Sequence, residues 1–391
     1  MDRPDGTVYW GADQPPLAAL FARAEALLPR WRKRADDARR LGKLPRESVD
    51  ELFDAGLLQL AMPKRFGGLE LDWPVLVEVA RLSARACPST AWIVSLVGGH
   101  IQIVSRFPAE AVNAVFRSGA RQLIATGSAT AAGGISLDGG AYRVDGRWRL
   151  GSGVDYATWV VVSGSCQRPS GRDGQTVLAL LPAVDIEIGD DWQAIGMAGT
   201  GSRDIIIRDR SVSDSWAQPL DDVLGRSAQR GEHYLQSVPL IPYLTSAIVG
   251  PLLGCAEGAV AAGFAIMRER YGRQPNGSQR AFAIRTGEIV ADIECARLLY
   301  RSILSRLHEA GCEDRDLSDR DYAAIKRDRA RLTRLCMNAV QQLVSHLGTS
   351  VIAQAHPVQR YWCDLQVMAA HMDVNWDRAM ADYGTALLAQ P

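Results

Sequence analysis

Excess charge of either sign is absent from this sequence. Lys and Arg number 44, Asp and Glu also number 44, and the formal net charge is zero. Binding to a phosphate backbone needs a cationic excess, so composition gives no indication of a nucleic-acid partner. The one basic stretch, Arg30–Arg40 (RWRKRADDARR), reads as the solvated face of an amphipathic helix. Paired cysteines are missing too. The seven cysteines are odd in number and none forms a CxxC, which argues against a disulfide framework and against zinc-site spacing. Reduced, partly buried thiols in a cytoplasmic protein are expected. The six histidines are scattered.

Several motifs are also missing. No GxGxxG joins a strand to a helix, and Walker A, HExxH and GxSxG are absent. The run Gly196-Met197-Ala198-Gly199-Thr200-Gly201 has the wrong spacing and context for a dinucleotide turn. The sequence therefore offers no recognisable nicotinamide, metal or serine-nucleophile site. A redox enzyme built on it would receive its reducing equivalents already loaded on a cofactor. No signal peptide is visible, since the N-terminal residues are polar. The apolar run Leu244–Met267 is long enough to cross a membrane. But it contains Glu257 and Pro251 and is rich in Gly and Ala, so a buried bundle helix is expected.

What is present has an order. At 391 residues the chain allows two or three domains. Leu17–Leu41, Arg46–Leu58, Trp73–Ala86, Ser89–Arg106 and Pro108–Arg117 carry helical spacing of apolar residues. From Arg121 to Leu220 the texture becomes short β-branched runs: Gln122–Thr126, Ala141–Val144, Trp159–Ser163, Thr176–Leu181, Ile186–Ile188 and Ile205–Ile207. Gly- and Asp-rich turns separate them, which predicts an all-β insert. Four long helical blocks follow: Leu240–Arg270, Phe282–Ala310, Ser318–Leu347 and Val358–Leu388. The expected class is α+β. A helical domain over 1–120 precedes a β-barrel over 121–225 and a four-helix bundle over 226–391.

Four segments carry a resemblance. They are Cys87-Pro88-Ser89-Thr90-Ala91-Trp92 leading to His100, then Gly146–Gly153 with Asp155 and Trp159, then Gly196–Ser202. The last is His356–Trp362, continuing to His371 and Asn375-Trp376-Asp377. In this order and spacing the chain resembles the acyl-CoA dehydrogenase-like two-component flavin-dependent monooxygenases (group D), over about Ala18 to Ala389. The resemblance implies an oxygenase component fed with reduced FMN or FAD by a separate reductase. It implies reaction of O2 to a C4a-hydroperoxyflavin and hydroxylation of an aromatic or polycyclic small molecule. No metal is implied.

The same resemblance assigns residues. His371 stands near the place where the dehydrogenases have a glutamate base, and is the implied catalytic base. His100 falls where relatives have a substrate-contacting histidine, although a helix-capping histidine is an equal reading. Trp148 and Ser152 belong to the segment implied to lie on the flavin ring, with Ser152 also counted as catalytic. Gly-Ser-Gly is turn chemistry as well. Thr126, Ser128, Thr200 and Ser202 match polar positions near the flavin, and exposed loops would read the same way. Gly348, Thr349 and Ser350 fall where relatives bind the flavin tail, and equally suit a helix C-cap.

Three positions depart from the pattern: Ala198 and Cys363, where relatives often have Arg, and Gly151, where many have a hydroxyl or thiol. The alternatives are an acyl-CoA dehydrogenase or oxidase, an N-oxygenase acting on an amine, and a non-catalytic member of the fold. A homotetramer or homodimer is implied.

Overall fold

The computed structural model describes residues 14–127, 134–167, 174–227, 231, 233–273 and 276–389. Helix α1 (Pro15–Leu41) buries Leu20, Ala24, Trp31, Ala35 and Ala38 on one face and ends on Gly42, which adopts the left-handed conformation (φ 65°). Its basic face is solvated, as expected, with Arg34 paired to Glu51 at 2.8 Å. Five helices follow: α2 (Arg46–Asp54), α3 (Trp73–Ala84), α4 (Pro88–Trp92), α5 (Ile101–Val104) and α6 (Ala109–Phe116). Helix α4 widens into a π-turn over Ile93–Val97. Gly98 and Gly99 are still helical and the chain breaks at His100, so Ser89–Arg106 is not the single helix its apolar pattern suggests.

Eight strands come next: β1 (Ile124–Thr126), β2 (Gly134–Asp138), β3 (Ala141–Gly151), β4 (Trp159–Gln167), β5 (Gln175–Pro182), β6 (Glu187–Ile188), β7 (Arg203–Val212) and β8 (Ala217–Pro219). Their order is β6-β7-β3-β2-β4-β5-β8, with β1 parallel to β4. They share one core that includes Val144, Trp148, Val160, Val162, Ala179 and Ile205. Strands β2 and β8 were not legible in the sequence. The first is flanked by glycines and the second ends on proline, so both look like turn material. The β3–β7 ladder slips its register between Trp148 and Gly151, and Leu150 there takes φ 61°. A bulge of this kind re-aims the next side chain, which is Ser152.

The C-terminal half opens with two short helices, α7 (Leu220–Leu224) and α8 (Ile241–Ser246). Long helices α9 (Val249–Gly272), α10 (Asn276–Cys312) and α11 (Asp319–Leu347) follow, then α12 (Pro357–Ala369) and α13 (Trp376–Leu388). The stretch 241–272 is apolar enough to cross a membrane, yet it is mostly buried inside the protein. Pro251 sits in the first turn of α9, where its missing N–H costs no hydrogen bond. Val358–Leu388 is two helices rather than one. The chain turns at Ala370–Asn375, where His371 caps a short 3-10 turn over Met372–Val374. That break decides where His371 points.

Candidate active site

Where the helices meet the sheet lies a cavity of about 620 Å³, within the size range of small-ligand and cofactor sites. Leu96, Ile103, Leu150, Met197, Leu244 and Met368 supply apolar wall. Six residues singled out from the sequence reach the same cavity: His100, Thr126, Ser152, Thr200, Ser202 and His371.

The polar wall is a chain of hydroxyls. Thr200 donates to the Met197 carbonyl at 2.8 Å. The Thr200 and Ser202 oxygens are 2.6 Å apart, and those of Ser202 and Ser152 are 2.7 Å apart. The Trp92 indole N–H donates to Ser152 Oγ at 3.1 Å. Met197 takes a left-handed backbone (φ 56°), and its N–H donates to Asp364 Oδ1 at 2.5 Å. Asp364 on α12 therefore holds the loop that carries Thr200 and Ser202. Burial pushes the Asp364 carboxyl up to about 6, against the opposing pull of the Met197 N–H and of Arg360 and Arg39.

The two histidines sit in fixed tautomers. His100 Nδ1 lies 3.0 Å from the Ile124 carbonyl. A carbonyl only accepts, so this nitrogen carries the proton. Burial pushes His100 down to about 4, so at neutral pH its Nε2 is bare. Thr126 Oγ1, 3.3 Å away, then donates to it. His100 does not cap a helix; it ties the α5 entry to β1.

His371 Nδ1 accepts the Asp373 backbone N–H at 3.3 Å, which leaves the proton on Nε2. Burial lowers its pKa; the Asp373 carboxylate, 3.5 Å from Nδ1, works the other way and Arg329 works with burial. The His371 ring meets the Trp92 indole edge to face, with centroids 5.6 Å apart.

Other candidates lie elsewhere. Trp148 is fully buried in the sheet core and donates its indole N–H to the Ser163 carbonyl at 2.7 Å. It packs behind Gly127 of the cavity wall, where an added Cβ would stand 2.5 Å from Trp148 Cβ. Gly348, Thr349 and Ser350 are exposed at the end of α11 and lie outside the cavity lining. Gly348 caps that helix, and Arg270 reaches the adjoining Leu347 carbonyl at 2.7 Å. Ser128 lies outside the described residues. Sequence reasoning missed Trp92, Met197, Trp192 and Asp364. Trp92 closes the Cys87–Trp92 segment, but nothing in its neighbours marks its N–H as facing a serine sixty residues on.

A flavin fits these residues. Its ring needs an apolar slot and a few hydrogen-bond partners on its heteroatom edge. The cavity supplies the first with Leu150, Met197 and Met368, and the second with the Ser152 and Thr126 hydroxyls.

Comparison with known proteins agrees. Residues 20–116 match the N-terminal domain of acyl-CoA dehydrogenase and residues 246–376 match its C-terminal domain. The chain belongs to the acyl-CoA dehydrogenase-like family, in its two-component flavin-dependent monooxygenase branch. It is 28% identical to the flavin-dependent monooxygenase oxygenase subunit HsaA of Rhodococcus jostii, over 94% of this chain and 98% of that protein. It is 27% identical to the oxygenase component of an FADH2-dependent resorcinol hydroxylase from Rhizobium sp., over 96% of each. The solved structure of XiaF from Streptomyces sp., in complex with FADH2 and glycerol, superposes with a TM-score of 0.88 at 25% identity, covering 96% of both chains.

Proposed function

We propose that this chain is the oxygenase component of a two-component monooxygenase. It would take reduced flavin from a separate reductase and hydroxylate an aromatic or polycyclic small molecule with O2. The observation that carries the reading is the convergence of His100, Thr126, Ser152, Thr200, Ser202 and His371 on one largely apolar cavity. The chemistry supplied by reduced flavin, when bound, is two-electron activation of dioxygen. This chain's residues do the rest. Leu96, Ile103, Leu244 and Met368 exclude water. Ser152 and Thr126 orient the ring. The bare Nε2 of His100 accepts from a substrate hydroxyl in competition with Thr126. The Nε2–H of His371 holds a proton for the oxygen that leaves as water.

An acyl-CoA dehydrogenase would need a free carboxylate base here. Asp373 lines the cavity, but it faces His371 Nδ1, which supports the monooxygenase reading. FADH2 is the first flavin to try, because XiaF and the resorcinol hydroxylase are named with it. We further assign a homotetramer or homodimer, supported by exposed Ile195, Leu298, Ile352 and Leu388. In such an assembly the Gly348–Ser350 segment would serve a neighbouring copy's flavin tail. A soluble cytoplasmic enzyme is part of the same reading, supported by seven cysteines that form no disulfide framework.

The test mixes anaerobic protein, reduced FAD or FMN and a panel of phenols with ¹⁸O-labelled dioxygen. Product carrying one ¹⁸O atom is expected. Flavin oxidation with peroxide as the sole oxygen product, for every phenol tried, would sink the reading.

A further inference from the structure

The hydroxyl chain on the cavity wall has a direction. Thr200 spends its single proton on the Met197 carbonyl. The contact between Thr200 and Ser202 therefore has Ser202 as donor. The contact between Ser202 and Ser152 then has Ser152 as donor. Trp92 donates into Ser152 from the other side. A serine hydroxyl has one proton and two lone pairs. Ser152 has spent the proton and one lone pair, so it offers the cavity a lone pair only.

Three backbone N–H groups beside Ser152 are spent as well. The Ser152 N–H goes to the Leu150 carbonyl at 2.9 Å, the Gly153 N–H to the Thr200 carbonyl at 2.8 Å and the Gly127 N–H to the Val161 carbonyl at 3.2 Å. The Trp192 indole N–H is spent on the Ala198 carbonyl at 2.7 Å, and Thr126 donates to His100. Around Ser152 these described donors are all spent, and its own hydroxyl meets the cavity as an acceptor.

We propose that the relay Trp92–Ser152–Ser202–Thr200–Met197 sets the redox selectivity of the flavin site, holding Ser152 as an acceptor that favours reduced flavin over oxidised flavin. The proposal rests on the flavin reading above. Reduced flavin carries a hydrogen on N5 and can donate to Ser152. Oxidised flavin presents a bare N5, and two facing lone pairs leave both groups unpaired, which is costly in a dry cavity. Thr200, Ser202 and Trp92 are positioning residues in this scheme, acting through Ser152. The consequence for the cycle is release of spent flavin and capture of fresh reduced flavin without a conformational signal.

The experiment is anaerobic equilibrium binding of FAD and of FMN, each oxidised and dithionite-reduced, to wild type, Ser202→Ala, Thr200→Val and Thr200→Ser. Wild type is expected to bind the reduced form at least about tenfold more tightly. Ser202→Ala frees the Ser152 proton to turn into the cavity, and Thr200→Val lets the chain reverse. Each should narrow the ratio about tenfold. The midpoint potential of bound flavin should fall by about 30 mV for each tenfold narrowing. Thr200→Ser keeps the hydroxyl and should keep the wild-type ratio. If Thr200→Val does not fold, Ser202→Ala alone decides. A wild-type ratio near one, or a ratio that Ser202→Ala leaves unchanged, overturns the relay while flavin binding stands. Failure of wild type to bind either redox form overturns the flavin reading and the relay with it.

Discussion

Trp92 touches His371 edge to face, ring centroid to ring centroid at 5.6 Å. The same indole donates to Ser152, so one side chain fixes the spacing between the hydroxyl wall and the histidine. Burial holds His371 below the ordinary imidazole range, and the ring is neutral at pH 7. Its protonation belongs to the acid side. Protonating Nδ1 would break its bond from the Asp373 N–H and release the ring, so coupled hydroxylation should be flat from pH 7 upward and fall only on the acid side of the ordinary imidazole range. His371→Ala should cut product formed per flavin oxidised by about 100-fold. Asp373→Asn removes the carboxylate that favours the charged ring and should move the acid limb to lower pH. Single-turnover product yield between pH 5 and 8 measures all three. An acid limb that survives in His371→Ala would show that another group is titrating.

Asp364 makes a stability prediction of the opposite sign from ion-paired carboxylates, whose pKa values are lowered. Its folded pKa, about 6, lies above the ordinary 3.8. Folding therefore favours the protonated form. The benefit is present at low pH and is lost as pH rises through 6, beyond which the folded state carries a buried charge. Asp364→Asn cannot ionise and keeps an oxygen for the Met197 N–H. It should be more stable than wild type at pH 8, by about 1–3 kcal/mol, with the gap closing toward pH 4. Urea melts at both pH values check this. A variant less stable than wild type at pH 8 would mean that Arg360 and Arg39 need the negative charge.

The layered plan of this chain was legible because each layer has its own periodicity. Helical spacing in α1 and α9 and β-branched runs in β4, β5 and β7 survive in the sequence. Local exceptions do not. Ala369-Ala370-His371-Met372 contains no glycine or proline, so nothing marks the end of α12; the 3-10 turn there is set by the His371 and Asn375 caps. Ser152 was legible by its Gly-Ser-Gly setting, but its orientation comes from a register slip that only pairing with β7 defines. The hydroxyl chain joins residues fifty positions apart and has no sequence signal as a unit. Trp148 shows the converse, since it lies in the same segment as Ser152 yet belongs to the sheet core and not to the cavity lining.

Arg81 sits in a buried cluster between α3, α9 and α10. It binds Glu78 at 2.7 Å and Glu257 at 2.7 Å, while Tyr300 donates to Glu78 at 2.6 Å and Arg297 to Glu257 at 2.7 Å. Two cations balance two anions, so removing one leaves a buried charge unpaired. Arg81→Met should cost about 3–5 kcal/mol at pH 8. The loss should shrink toward pH 5, because burial raises the Glu78 pKa and that carboxyl can neutralise itself by taking a proton. Thermal melts at the two pH values test it; a loss under about 1 kcal/mol at pH 8 would show the cluster is not coupled.

The packing of α9 on α3 depends on glycines spaced four apart. A Cβ on Gly250 would stand 2.4 Å from the Val77 carbonyl oxygen, one on Gly254 2.0 Å from the Arg81 carbonyl oxygen, and one on Gly258 2.7 Å from the Tyr361 ring. The first two obstacles are backbone, and α3 is buried along its whole length, so it cannot move aside cheaply. Gly254→Ala should cost about 3 kcal/mol, although alanine is the better helix former. Gly287 in α10 is the control. It is exposed, with nothing near its missing Cβ, and Gly287→Ala should stabilise by up to about 1 kcal/mol. Opposite shifts in melting temperature from one chemical change are the expected outcome. Equal shifts would mean that helix propensity, and not the close approach of α3, governs both sites.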